Sequence, residues 1–328
     1  MRRREFITVL GGAAAWPLVA RAQQADRVRH VGALMNGDSG DAVGQGDLTA
    51  FRQGLTELGW IEGRNIDIEL RWPGGDVERA QTFAKELVGL RPDVLLVRTT
   101  PAADALKKET STIPIVLVNV VEPVEQGFVY SLARPGGNIT GFTNFEESVG
   151  GKMLQLLKEV DSRIKRVAVI YNPQTAPFGG LYFRSVESAA SVLAVEPVTM
   201  LVQSAADIEA AMTAFARQPG GGVVAIPDSF TVQHRDLLVA LAARYRLPSI
   251  YAYIQASMGG LMTYTVDTRD LMHRAAGYID RILKGEKPAE LAVQQPARFN
   301  LVINLKTAKA LGLTVPQTLL VAADEVIE

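Results

Sequence analysis

Ten residues at the ends of apolar runs carry most of the chemistry open to this sequence. Asn36 and Asp38 follow HVGALM, Thr99 and Thr100 follow DVLLVR, and Asn119 and Glu122 close and follow PIVLVNV. Asn172 ends RVAVIYN, Asp228 ends GGVVAIPD, and Tyr253 and Tyr264 belong to SIYAY and GGLMTYTV. The set is hydrogen-bonding and aromatic, not nucleophilic. Thr99 and Thr100 stand before a helix beginning near Pro101, where hydroxyls and free backbone N–H groups can cap the helix, hold a carboxylate, or do both. Asn36, Asn172 and Asp228 fit ligand contacts and Asx turns alike. The two tyrosines fit either a cleft or an interface between domains. Glu122 and Asp228 are the carboxylates that could serve as a base if the protein were an enzyme.

Much other chemistry is excluded. The chain has no cysteine, so thiol catalysis, Cys-ligated zinc, iron–sulfur clusters and disulfides are ruled out. No G-x-G-x-x-G follows a strand, and neither a Walker loop nor a G-x-S-x-G elbow occurs. The loop NGDSGDAVGQGD is rich in Asp and Gly but lacks the ligand spacing and terminal Glu of an EF-hand. His30, His234 and His273 are scattered without metal spacing and read as surface or interface residues, with His234 on a surface helix. Asn138-Ile139-Thr140 matches a glycosylation sequon by coincidence. No metal and no cofactor is expected.

The elements that must position the ten residues alternate regularly. DLTAFRQGLTEL has Leu48, Phe51, Leu55 and Leu58 on one helical face, and ERAQTFAKELVGL has Ala80, Phe83, Ala84, Leu87 and Val88. Between such helices lie continuous apolar strands, the pattern of a parallel sheet covered on both faces. After the Gly/Pro-rich segment ARPGGNITGF the alternation restarts with SVGGKMLQLLKEV. The echo of PDVLLV, helix, IPIVLVN in GGVVAIP, helix, LPSIYAY supports a repeated architecture. The fold class is α/β, with two doubly wound parallel-sheet lobes. In open sheets of this kind ligands bind beyond the carboxyl ends of the strands, which is where the ten residues fall. The late helix DLMHRAAGYIDRILKG implies that the chain crosses back between lobes, making a hinge. The expected division is 27–141 plus about 268–292, and 142–267 plus about 293–328.

The start, MRRREFITVLGGAAAWPLVARAQQ, reads as an export signal: a basic n-region, an apolar run from Ile7 to Ala20 that is too short to span a bilayer, and a small-residue exit at Ala20-Arg21-Ala22. Arg3-Arg4-Glu5-Phe6-Ile7 resembles a twin-arginine motif. Cleavage near Ala22 removes Arg2, Arg3, Arg4 and Arg21 with Glu5, a net +3, so the formal −1 of the whole chain becomes −4. That charge attracts neither nucleic acid nor an anionic membrane. The absence of a lipidated cysteine points to a soluble periplasmic protein.

Two long strings make the reading specific. RPDVLLVRTTPAADALKKETSTIPIVLVNVVEPVEQGFVYSLARPGGNITGFT and the terminal RAAGYIDRILKGEKPAELAVQQPARFNLVINLKTAKALGLTVPQTLLVAADEVIE resemble a family of substrate-binding proteins of bacterial ABC transporters. The resemblance runs from about Val31 to the last residue. It implies a type I periplasmic-binding-protein fold whose lobes close on a small-molecule ligand; some members bind tryptophan, tyrosine or related compounds. It also implies an ABC permease and its ATPase in the inner membrane as partners, and a monomer. Val121-Glu122-Pro123 stands where relatives often carry Gly-Asp-Pro, and Asn-Gly-Asp-Ser-Gly replaces a shorter serine-rich loop; both departures fall at the expected cleft. The alternatives are an exported isomerase or lyase on the same scaffold and a sensor module for a membrane kinase.

Overall fold

The computed structural model describes residues 27–328; the export signal read at residues 1–22 lies outside them. Two parallel sheets organise the chain. The first contains β1 (Arg29–Leu34), β2 (Ile66–Arg71), β3 (Val94–Arg98), β4 (Ile115–Val120) and β5 (Ile139–Thr143), in the order β2-β1-β3-β4-β5. The second contains β6 (Arg166–Tyr171), β7 (Glu196–Leu201), β8 (Gly221–Ala225), β9 (Ser249–Tyr251), β10 (Met262–Thr265), β11 (Asn300–Asn304) and β12 (Glu325–Ile327), in the order β12-β11-β10-β9-β8-β6-β7. Its first five strands repeat the order of the first sheet, so the architecture is duplicated. β11 breaks the parallel rule by pairing antiparallel with β10.

In the first lobe the connecting helices are α1 (Ala42–Glu57), α2 (Val77–Gly89) and α3 (Thr100–Glu109). In the second they are α4 (Val149–Val160), α5 (Gly179–Leu193), α6 (Ala205–Phe215), the short α7 (Ser229–Gln233) and α8 (Arg235–Arg244). β3 and β4 are buried along their whole length, as strands covered on both faces must be. α9 (Thr268–Leu283) follows the second sheet's β10 but packs on α1 of the first lobe. Its stripe Leu271, Met272, Ala275, Ala276 and Ile279 meets Leu48, Phe51 and Leu55. Gly54 permits the close approach: a Cβ there would lie 2.7 Å from the backbone oxygen of His273. The chain then returns, with Gln294 bonded to Gly141 and Thr143 beside β5, before β11 enters the second sheet. α10 (Leu305–Leu311) and α11 (Gln317–Ala322) complete that side.

Two local expectations need correction. The first helix begins at Ala42, not at Asp47, because Asp41 accepts a hydrogen bond from the Gly44 N–H at 3.2 Å and caps it. Gly44 is in the helix despite its low propensity, since a Cβ there would meet the Trp72 ring at 2.7 Å. The second concerns the end of ARPGGNITGF, read as a Gly/Pro-rich segment before the pattern restarts: with Thr143 it forms ITGFT. It is a fifth strand, in which Gly141 at φ 139° nests against the backbone of Leu117.

Candidate functional site

The carboxyl ends of the two sheets face each other, and the first lobe's face is strained. Thr99, the last residue before α3, has φ 92° and ψ 151°, a region that side chains with a Cβ rarely enter. Its hydroxyl does not cap the helix. The Thr100 hydroxyl instead accepts a hydrogen bond from the Val121 N–H at 3.1 Å, tying the end of β4 to α3. Asn119 at φ 61° and Glu122 at φ 39° are also left-handed. Burial, together with Glu125 and Glu147 nearby, pushes the Glu122 carboxyl above its ordinary range.

The second lobe's face is relaxed and closed on itself. Asp228 is buried, and its carboxylate accepts from the Asn172 N–H at 2.9 Å, the Phe230 N–H at 3.0 Å and the Thr175 hydroxyl. It therefore caps α7 and clamps the loop after β6 to the loop after β8. Burial raises its pKa, against the pull of these hydrogen bonds. The side-chain oxygen of Asn172 accepts from the Gln174 N–H at 2.8 Å, an Asx turn. Asn172 lines none of the cavities described below, so the turn is what its side chain does.

Contacts cross between the lobes. The Asn119 amide donates to the Tyr253 hydroxyl at 3.3 Å, and Arg235 pairs with Asp41 at 3.1 Å. The Gln233 side chain lies where a Cβ on Gly75 would be, 2.8 Å away. The lobes are thus in contact across the cleft. Between Thr99, Thr100, Asn119 and Asp228 the remaining space is only about 10 Å³. A cavity of about 520 Å³ opens beside it, lined by Asn36, Asp38 and Arg98 from one lobe and by Ser229, His234 and Tyr253 from the other. Ser229 and Tyr253 border both spaces. On the opposite flank, Glu122 and Tyr264 line a groove of about 1120 Å³ with Glu125, Glu146 and Glu147. There Tyr264 stacks on Phe299 with ring centroids 5.2 Å apart.

His234 departs from its expected place on a surface helix. It sits at the junction of α7 and α8, its Nδ1 is 2.9 Å from the Phe230 carbonyl oxygen, and it lines the interlobe cavity of about 520 Å³. Two residues escaped the sequence reading. Arg98 ends β3 with its guanidinium buried, 2.7 Å from the wholly buried Asp47 of α1; burial pushes the Asp47 carboxyl up, against the neighbouring Arg98 charge. The available signal was a single charge closing an otherwise apolar buried strand. Asn144, just past β5, is buried and its side-chain oxygen has no hydrogen-bond partner; nothing local in the sequence marks it. Among the described residues no cluster of His, Asp or Glu could hold a metal ion, and no helix is long and apolar enough to cross a membrane.

Known proteins match this architecture over most of the chain. Residues 30–327 match the family described as ABC transporter substrate binding protein. A tyrosine-binding protein of Clostridioides difficile is 26% identical over 265 residues, covering 80% of this chain and 75% of that protein. The crystal structure of a conserved domain protein from Vibrio cholerae superposes with a TM-score of 0.84 at 28% identity, covering 92% of this chain and all of the other. A Streptococcus pneumonia ABC domain in complex with L-Trp gives a TM-score of 0.82 at 24% identity, again covering 92% of this chain and 100% of the other.

Proposed function

The chain belongs to the ABC transporter substrate-binding protein family, and from that premise we propose that it captures a small solute between its lobes and delivers it to a membrane permease driven by an ATPase. The observation that carries this reading is the cavity of about 520 Å³ lined from both lobes, a size that suits a small organic molecule. A solute touching both lobes binds the closed form more tightly than the open one, and that difference is what drives closure. The relatives named for tyrosine and L-Trp support an amino acid or another small carboxylate compound as the solute. The protein works as a periplasmic monomer, exported through its N-terminal signal and cleaved near Ala22. One lobe comprises about 27–143 with about 268–292, and the other about 144–267 with about 293–328, the first crossing lying past β5 rather than at residue 141.

Binding without turnover is the corresponding chemistry. Asp228 is a poor general base, because three protein donors already occupy its carboxylate. Mass spectrometry of small molecules released by denaturing the gently purified protein should identify the solute. That compound at 100 times its Kd should stabilise the fold by about 2.7 kcal/mol and be recovered unchanged. Its conversion to product would replace the receptor reading with the enzyme one, and stimulation of a membrane kinase instead of a permease would favour the sensor.

A further inference from the structure

Arg98 presents a puzzle that the fold itself does not solve. Its side chain is only 4% exposed, and a buried guanidinium needs partners for its donors. One partner is present: Asp47 lies 2.7 Å from Nη2, and the Asp47 carboxylate is held from behind by the Thr268 hydroxyl at 2.9 Å. Nε has no hydrogen-bond partner, although a satisfied interior rarely leaves such a donor bare. Arg98 also lines the interlobe cavity of about 520 Å³. Asp47 thus offsets the charge; Nε is sealed from solvent as well as unpaired, so the Nη groups are what a ligand in the cavity would meet. Beside it, Asn36 is buried, 6% exposed as a residue; its side chain makes no hydrogen bond among the described residues, and it lines the same cavity.

We propose that Arg98 is the anion anchor of the binding site: the solute is a carboxylic acid whose carboxylate lies on the Arg98 guanidinium, with Asn36 beside it, and not on the Thr99–Thr100 pair. This rests on the receptor reading above and names its recognition element. The geometry favours a carboxylate because a guanidinium offers planar, paired donors matched to two carboxylate oxygens. The room favours this location as well. The space at the threonines, about 10 Å³, holds no more than about one water, and the Thr100 hydroxyl is already bonded to the Val121 N–H. Ser229 and Tyr253, which border both spaces, then contact the body of the solute from the second lobe.

The test uses the whole mature protein and a panel of small amino, hydroxy and aromatic carboxylic acids, each paired with its own primary amide. Calorimetry or thermal shift should show that the best acid binds at least about tenfold more tightly than its amide, the scale of one charge-assisted hydrogen bond. In Arg98→Gln that acid-over-amide preference should collapse to near unity. Because Asp47 loses its partner in that variant, the double variant Asp47→Asn/Arg98→Gln is measured in parallel, and it should fold and show the same collapse. Thr100→Ala should leave the preference intact. Equal binding of acids and amides, or a preference that survives in the double variant, would overturn the Arg98 assignment while leaving a solute receptor. Failure of every panel member to bind overturns the assignment and removes the support for a carboxylate solute, and chemical conversion of a member overturns the receptor reading itself.

Discussion

The two faces of the cleft occupy equivalent places in a duplicated architecture, yet they are built in opposite ways. At the switch point of the first sheet, where β1 and β3 diverge, Thr99 has a positive φ, as do Asn119 and Glu122 at the end of the neighbouring β4; a buried guanidinium Nε is bare on both sides of the cleft, at Arg98 and at Arg235. At the matching point of the second sheet, between β6 and β8, Asn172, Thr175 and Asp228 satisfy one another. Backbone strain and unpaired polar groups cost stability, and they persist where something other than the fold uses them. The contrast therefore separates a face under backbone strain from one whose loops are held by their own side chains, although both present the same kinds of residue.

The largest test of that contrast is Asp228→Ala. Removing a carboxylate with three buried or half-buried donors leaves them unsatisfied, and the variant should lose about 3 kcal/mol of stability. Thermal unfolding of the ligand-free protein measures it. An unchanged Tm would erase the distinction between the faces, since Asp228 would then be free for a ligand. The opposite sign is expected at Thr99→Gly. Glycine enters the φ 92°, ψ 151° region without a clash, so relief of strain should raise stability by about 1 kcal/mol. A loss of stability there would show that the first face is not strained after all.

The smallest effect belongs to Glu122→Gln, and it is read through pH. The folded-state pKa of Glu122 is raised by burial and by Glu125 and Glu147, so the folded protein holds this proton more tightly than the unfolded chain. Its contribution to stability is fully present below the ordinary value of 4.5 and is lost as pH rises through the higher folded value. Glu122→Gln should thus be a few tenths of a kcal/mol more stable than the parent at pH 7, a figure already reduced for solvent screening. The difference should vanish near pH 4. A variant that is less stable at pH 7 would mean that the Glu122 charge is favourably paired.

The difference between the faces is also what sequence could not convey. Periodicity and strand-end position were enough to reveal two α/β lobes and to locate the loops around the cleft, because burial on both faces of a parallel sheet writes itself into continuous apolar runs. Strain is different. Thr99, Asn119 and Glu122 are not glycines, so nothing in their identity announces a positive φ. The Arg98–Asp47 pair joins the end of a strand to the middle of a helix, and no local pattern links them. ITGFT was obscured by its glycine and by the Pro/Gly cluster before it, and Asp41, one of several acids in its loop, became recognisable as a cap only with the start of α1 in view.

The packing of α9 on α1 bears on the order in which the protein can be made. All five strands of the first sheet have been synthesised by Thr143, but the apolar face of Leu48, Phe51 and Leu55 stays uncovered until Leu271 through Ile279 emerge. At about 5–20 residues per second that face waits on the order of ten seconds on the ribosome, with the central strands of the second sheet forming in the interval. The first lobe begins first and finishes late. A chain truncated after β10 would keep every strand of the first sheet and still lack the helix that seals it, so a nascent or prematurely terminated product of this length should be the form that chaperones hold and proteases remove.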